Sequence, residues 1–140
     1  MSKTTNLVFD DGYKEFTINN DPNRVIRFNP SDVAMVERFK KSQDALEALL
    51  QEFAEKEPED EVEALEKLDN AIKKEVDAIF NQPVSDVVFG NQSPMATVNG
   101  VTLFEQLFDM VRPVIMDGVK EEKKLSQQRV NKYVKAAKGK

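Results

Sequence analysis

Apolar and polar positions first keep a period of two. Tyr13-Lys14-Glu15-Phe16-Thr17-Ile18 alternates, with Tyr13 and Phe16 slightly out of phase, and Arg24-Val25-Ile26-Arg27-Phe28 follows as a second β-rich run. Between them stands Asn19-Asn20-Asp21-Pro22-Asn23. Asn and Asp tolerate left-handed backbone and proline fixes its own φ, so the spacing predicts a hairpin around a five-residue turn. A lone two-stranded hairpin is marginal in water. It must lie on the helices or pair with another chain.

The period then lengthens to threes and fours. Asn29-Pro30-Ser31-Asp32 is a helix start, with Asn29 as cap, Pro30 in the first helical position and Asp32 against the positive helix end. The predicted helix runs to about Lys56. Val33, Val36, Phe39, Leu46, Leu49, Leu50 and Phe53 form one stripe, interrupted by Gln43. Pro58, amid acids, ends this helix and opens the next, which carries Val62, Leu65, Leu68, Ile72, Val76, Ile79 and Phe80 up to Asn81. Two helices of about 24 residues, each about 36 Å long, with a short junction predict an αα-hairpin. The stripes are not strict heptads, so they read as core rather than as a coiled-coil seam.

The densest apolar stretch is Pro83 to Met116. Ser85 is placed to cap a short turn, Asp86 to Phe89, which Gly90 ends in left-handed conformation. Asn99-Gly100 is a tight turn. Thr102 and Glu105 have capping-box spacing and open a helix bearing Leu103, Phe104, Leu107, Phe108, Val111, Val114 and Ile115. Apolar around much of its circumference, it is the expected central helix. Pro113 is expected to kink or end it. After Gly118 a last helix, Val119 to about Ala137, shows only a thin apolar edge of Leu125, Val130, Tyr133 and Val134. The fold class is therefore mainly α: a small helical domain with an N-terminal β-hairpin, a long αα-hairpin and a central apolar helix. Residues 1–12 read as a flexible arm, 13–118 as the helical domain and 119–140 as a basic C-terminal helix or tail.

Composition narrows the function classes. At 140 residues the chain is one domain, able to bury roughly two-thirds of its unfolded surface. Cysteine and histidine are both absent, which removes thiolate chemistry, the commonest general base and the commonest transition-metal ligand. Asp10-Asp11 lacks convergent ligands, and the acids from Glu52 to Glu63 read as a solvated helix junction. The glycines form no phosphate-cradling loop. No enzyme activity, metal or cofactor is expected. With no apolar run long enough for a signal or a membrane span, the expected location is the cytoplasm. Net charge is −5, unevenly spread. Val119 to Lys140 carries eight bases against Glu121 and Glu122. Such a tail suits an acidic protein surface, or alternatively nucleic acid. Its single aromatic, Tyr133, gives no stacking series, so nucleic acid is not the leading expectation.

A family resemblance goes further. The hairpin with a turn like Asn20-Asp21-Pro22, the run Phe28-Asn29-Pro30-Ser31-Asp32 into a long charged helix, Asp86-Val87-Val88-Phe89-Gly90, an apolar helix ending near Arg112 to Ile115, and a basic tail around Arg129 to Tyr133 together resemble the tail assembly chaperones of long-tailed bacteriophages of Gram-positive hosts. The resemblance spans about Tyr13 to Val134. It implies a non-enzymatic, mostly helical, self-associating protein. Such a protein coats the long tape measure protein, keeps it soluble in the host cytoplasm, and is displaced as tail tube subunits polymerise. On that reading helix-in-groove contacts fall on Val33, Val36, Phe39, Phe104 and Phe108, with Arg129, Lys132 and Tyr133 on the tail. The alternative is a nucleic-acid-binding or regulatory adaptor working through the basic C-terminal helix.

Overall fold

The computed structural model describes residues 3–55 and 59–138, without the side chains of Tyr133, Ala137 and Lys138. It is 63% helical, and the mainly α class with an N-terminal hairpin holds. Strands β1 (Lys14–Ile18) and β2 (Asp21–Phe28) form an antiparallel pair, followed by helices α1 (Val33–Glu55), α2 (Glu61–Phe80) and α3 (Val84–Phe89). A two-residue pair, β3 (Thr97–Val98) and β4 (Val101–Thr102), leads into helix α4 (Leu103–Lys138). The expected end of α1 at Lys56 and the role given to Pro58 lie outside the described residues.

The hairpin turn is shorter than expected. Asn19 and Asn20 alone make it, with φ of 54° and 59°, and Asp21 to Asn23 already belong to β2. Two consecutive positive φ values match the twist of a tight hairpin, and asparagine supplies them at low cost. A register shift between Thr17 and Ile18, from Thr17 opposite Val25 to Ile18 opposite Asp21, accommodates the extra residues Pro22 to Arg24 on β2. Phe16, Ile18, Ile26 and Phe28 face the helices. Phe16 stacks on Phe28 with centroids 4.4 Å apart, and Phe28 meets Phe80 of α2 edge-on at 5.3 Å.

The start of α1 also differs. Asp32, not Asn29, is the cap: its Oδ1 accepts from the Ala34 N–H at 3.0 Å. Asn29 instead closes the turn before the helix, its Oδ1 accepting from the N–H and the hydroxyl of Ser31. Pro30 sits in that turn rather than in the first helical position. Helices α1 and α2 run antiparallel, as cross-links in opposite order require: Arg38 Nε donates to Ile79 O and Ser42 Oγ to Glu75 O. Between them Met35, Phe39 and Leu46 pack with Leu68, Ile72, Val76 and Ile79, all buried. Asp60 caps α2 through the N–H groups of Val62 and Glu63, and Asn81 ends it in left-handed conformation.

Helix α3 has no capping side chain of its own on Pro83. Its ends are satisfied from a distance. The Asp77 carboxylate accepts from the N–H and hydroxyl of buried Ser85 at 2.7 and 3.1 Å, so Ser85 is held rather than capping. At the other end, the Arg24 guanidinium donates to the carbonyls of Val87 and Val88. Those carbonyls have no intrahelical partner in so short a helix, and filling them fastens the hairpin to the body. Gly90 follows at φ 62°, ψ −127°. That is not the left-handed helical region expected, but a region open essentially to glycine alone.

Two helices were expected after Thr102, and the structure has one. The first N–H groups of α4 are satisfied by Ala96 O, Pro94 O and Thr102 Oγ1. The helix then runs unbroken for 36 residues through Pro113 and Gly118. Pro113 removes the bond to the Asp109 carbonyl, but both residues are on the exposed side, where water can replace it. Gly118 is a contact rather than a break: a Cβ there would stand 2.7 Å from Pro30 O. Phe104, Leu107, Phe108, Val111 and Ile115 bury the first half of α4. From Lys120 to Ala136 every described side chain is exposed, so the second half projects from the body.

Candidate interaction surfaces

The residues singled out from sequence separate into three groups. Phe39, Phe104 and Phe108 are core, 8%, 6% and 6% exposed. Phe39 meets Phe108 edge-on at 5.0 Å, joining α1 to α4, and the Arg112 guanidinium lies 5.7 Å above the Phe39 ring. These rings hold the body together, and only small parts of them reach the surface. Val33 is 62% exposed in the first turn of α1, with Val36 half-buried beside it. Arg129 and Lys132 stand on the projecting half of α4, and the Tyr133 side chain lies outside the described residues.

The aromatic contact has a consequence for the surface. Where α1 and α4 meet they leave an open groove of ≈ 370 Å³. Leu46, Leu50, Phe104 and Phe108 form its floor. Glu47, Glu105 and Asp109 stand on its rim, with Gln43 and Arg112. Arg112 Nη1 is bound to Asp109 Oδ1 at 3.2 Å, while Glu47 and Glu105 remain exposed. The rim is therefore negative. Sequence reading did not assemble this group, because Glu105 reads as a capping residue and Glu47 lies 58 positions earlier on another helix. One signal was present: Gln43 breaks the apolar stripe of α1 where that stripe passes from core to groove. A second hollow, ≈ 220 Å³, lies between the hairpin tip and α4, with Arg24, Phe89 and Met110 in its wall.

The charges divide along the chain. Residues 119–140 carry eight bases and two acids, +6, which leaves twelve bases and 23 acids, −11, on residues 1–118. On the projecting helix, Lys120, Lys123, Lys124, Lys132 and Lys135 make no ion pair among the described residues. Exposed apolar side chains accompany them: Leu125 at 46%, Val130 at 59% and Val134 at 47%. The N-terminal arm adds Leu7, Val8 and Phe9, each more than 80% exposed. It is tied to the body where Asn29 Nδ2 donates to Asp11 O.

Among the described residues no group of acids is placed to hold a metal ion, and no helix is long and apolar enough to cross a membrane. Compared with known proteins, the chain matches no family model, no curated protein and no solved structure.

Proposed function

We propose that this chain is a non-enzymatic helical binding protein of the phage tail assembly chaperone kind. It holds apolar helical segments of a tape measure protein in the host cytoplasm until tail tube subunits displace it. The observation that carries this reading is where the Phe28 to Asp32 stretch of the resemblance falls. Asn29 closes the turn and reaches the arm, Pro30 receives Gly118 of α4, and Asp32 caps α1. These residues join the arm, α1 and α4, so the stretch that carries the resemblance is also a structural junction of the body. Client contact in this reading uses Val33, Val36 and the groove beside Leu50, since the phenylalanines are occupied in the core. Co-expression with the tape measure protein encoded in the same genome is the test. A soluble co-purifying complex is expected, and a tape measure protein that stays insoluble and unbound would overturn the proposal.

The projecting row of unpaired lysines favours one second reading, a nucleic-acid-binding adaptor. Titration with duplex DNA at rising salt separates the two. Phosphate contacts through these lysines give an affinity that falls steeply and linearly in log salt, whereas apolar client binding does not.

A further inference from the structure

We propose that copies of this chain associate tail to groove, the projecting half of α4 from one copy lying in the acidic-rimmed groove between α1 and α4 of the next. Charge selects the occupant. The groove rim presents Glu47 and Glu105 without an ion pair among the described residues, on a body of −11, and the most strongly basic segment of the chain is the +6 tail. Two tails side by side would instead set +6 against +6. Within that tail Val130 and Val134 stand one helical turn apart, both about half exposed. They have the spacing to rest on Leu50 and the edges of the buried phenylalanines.

Geometry makes the contact intermolecular. The groove is built from Phe104 to Arg112 of α4 itself, and Val130 is 18 residues beyond Arg112 on the same unbroken helix. That is about 27 Å away along a straight rod. The tail cannot turn back onto its own groove without breaking the helix, but it can enter that of a neighbour. The segment from Lys123 to Val134 is about 17 Å long, close to the run of about 12 Å that Phe104 to Arg112 contributes. Tail and groove are different surfaces, so the contact is either reciprocated in a two-fold dimer, each tail in the other's groove, or repeated head to tail in a ring or open chain. The floor is mostly core, so little apolar area is gained and the association is governed by charge. It must weaken as salt shortens the screening length from about 30 Å at 0.01 M to about 3 Å at 1 M. This proposal does not depend on the chaperone reading.

The test is sedimentation velocity of the full chain across a concentration series, with two exposed-site variants. One reverses the groove, Glu47→Lys with Glu105→Lys. The other reverses the tail with four exposed changes, Lys123→Glu, Lys124→Glu, Lys132→Glu and Lys135→Glu, each lowering its charge by two and taking it from +6 to −2. The unaltered chain is expected to exceed 15.9 kDa at low salt and return to it at high salt. Each variant alone is expected to remain monomeric, with circular dichroism unchanged. An equimolar mixture is expected to associate again, because the basic groove then meets an acidic tail and the acidic groove a basic one. A monomer at every concentration in low salt, single variants that associate like the parent, or a mixture that fails to recover would each overturn the proposal.

Discussion

Gly118→Ala tests the close passage of α4 over the Pro30 turn, and its expected sign is opposite to the usual one. In an exposed helix interior, glycine to alanine gains about 1 kcal/mol. Here the new Cβ would lie 2.7 Å from the Pro30 carbonyl oxygen and 2.8 Å from both the Pro30 carbonyl carbon and its Cβ. Comfortable contacts begin near about 3.5 Å, so helix and turn must separate by something approaching an ångström. Neither can give cheaply. One side is backbone and a proline ring, and the other is a helix anchored by Val111 and Ile115 in the core. Overpacking of this kind costs about 1–3 kcal/mol. With the propensity gain set against the upper half of that range, a net loss of about 1–2 kcal/mol remains. For a chain of this length that is a fall in Tm of roughly 3–8 °C. Asp117→Ala, one residue earlier and exposed, is the control. It changes propensity without meeting Pro30 and should leave Tm level or slightly higher. Thermal melts of both variants, read beside urea midpoints, decide the matter. If Gly118→Ala raises Tm as the control does, α4 does not pass Pro30 at contact distance and the account of the glycine fails.

Phe108→Ala removes a buried ring and its edge-on partner contact with Phe39, and should cost about 3–5 kcal/mol in urea unfolding; an unchanged midpoint would take the residue out of the core. Asp77→Ala leaves the N–H and hydroxyl of buried Ser85 without their acceptor and should cost about 1–3 kcal/mol, while Asp86→Ala, exposed on α3, should cost far less in the same assay. Deleting residues 128–140 removes mostly exposed side chains and should leave Tm nearly unchanged while abolishing concentration-dependent association. A large fall in Tm would make the tail part of the fold, and unchanged association would make it inert.

What the sequence revealed follows the range of the forces involved. The hairpin, the two long helices and the buried face of α4 rest on periodicity, which is local, and all were legible. So was Asn81 as the end of α2, while the helix start, given to Pro58 amid acids, is capped by Asp60. The errors lie where local chemistry offered two equal answers. Asn19-Asn20 and Asp21-Pro22-Asn23 are both turn formers, and only the strand register reveals that the first pair turns. Asn29 and Asp32 are both capping residues, and the later one wins because Asn29 is engaged with Ser31. Pro113 and Gly118 read as helix breakers by local rule. The proline is tolerated because it faces solvent, and the glycine is there for a neighbour 88 positions away in the chain. The groove was least legible of all, being made by two helices whose crossing depends on Phe39 meeting Phe108.

The continuity of α4 also makes residue number a carrier of angular information. Each residue of an α-helix turns the side-chain direction by about 100°. With no break between Phe104 and Val134, the azimuth at which the outer half presents its valines and lysines is fixed by how many residues intervene. One residue inserted between Asp117 and Lys123 would swing that whole face by about 100° without touching the core. Seven would restore it to within about 20°. Length in this stretch is therefore constrained in steps, even where the side chains touch nothing, and tolerance to insertion here should follow heptad arithmetic rather than exposure.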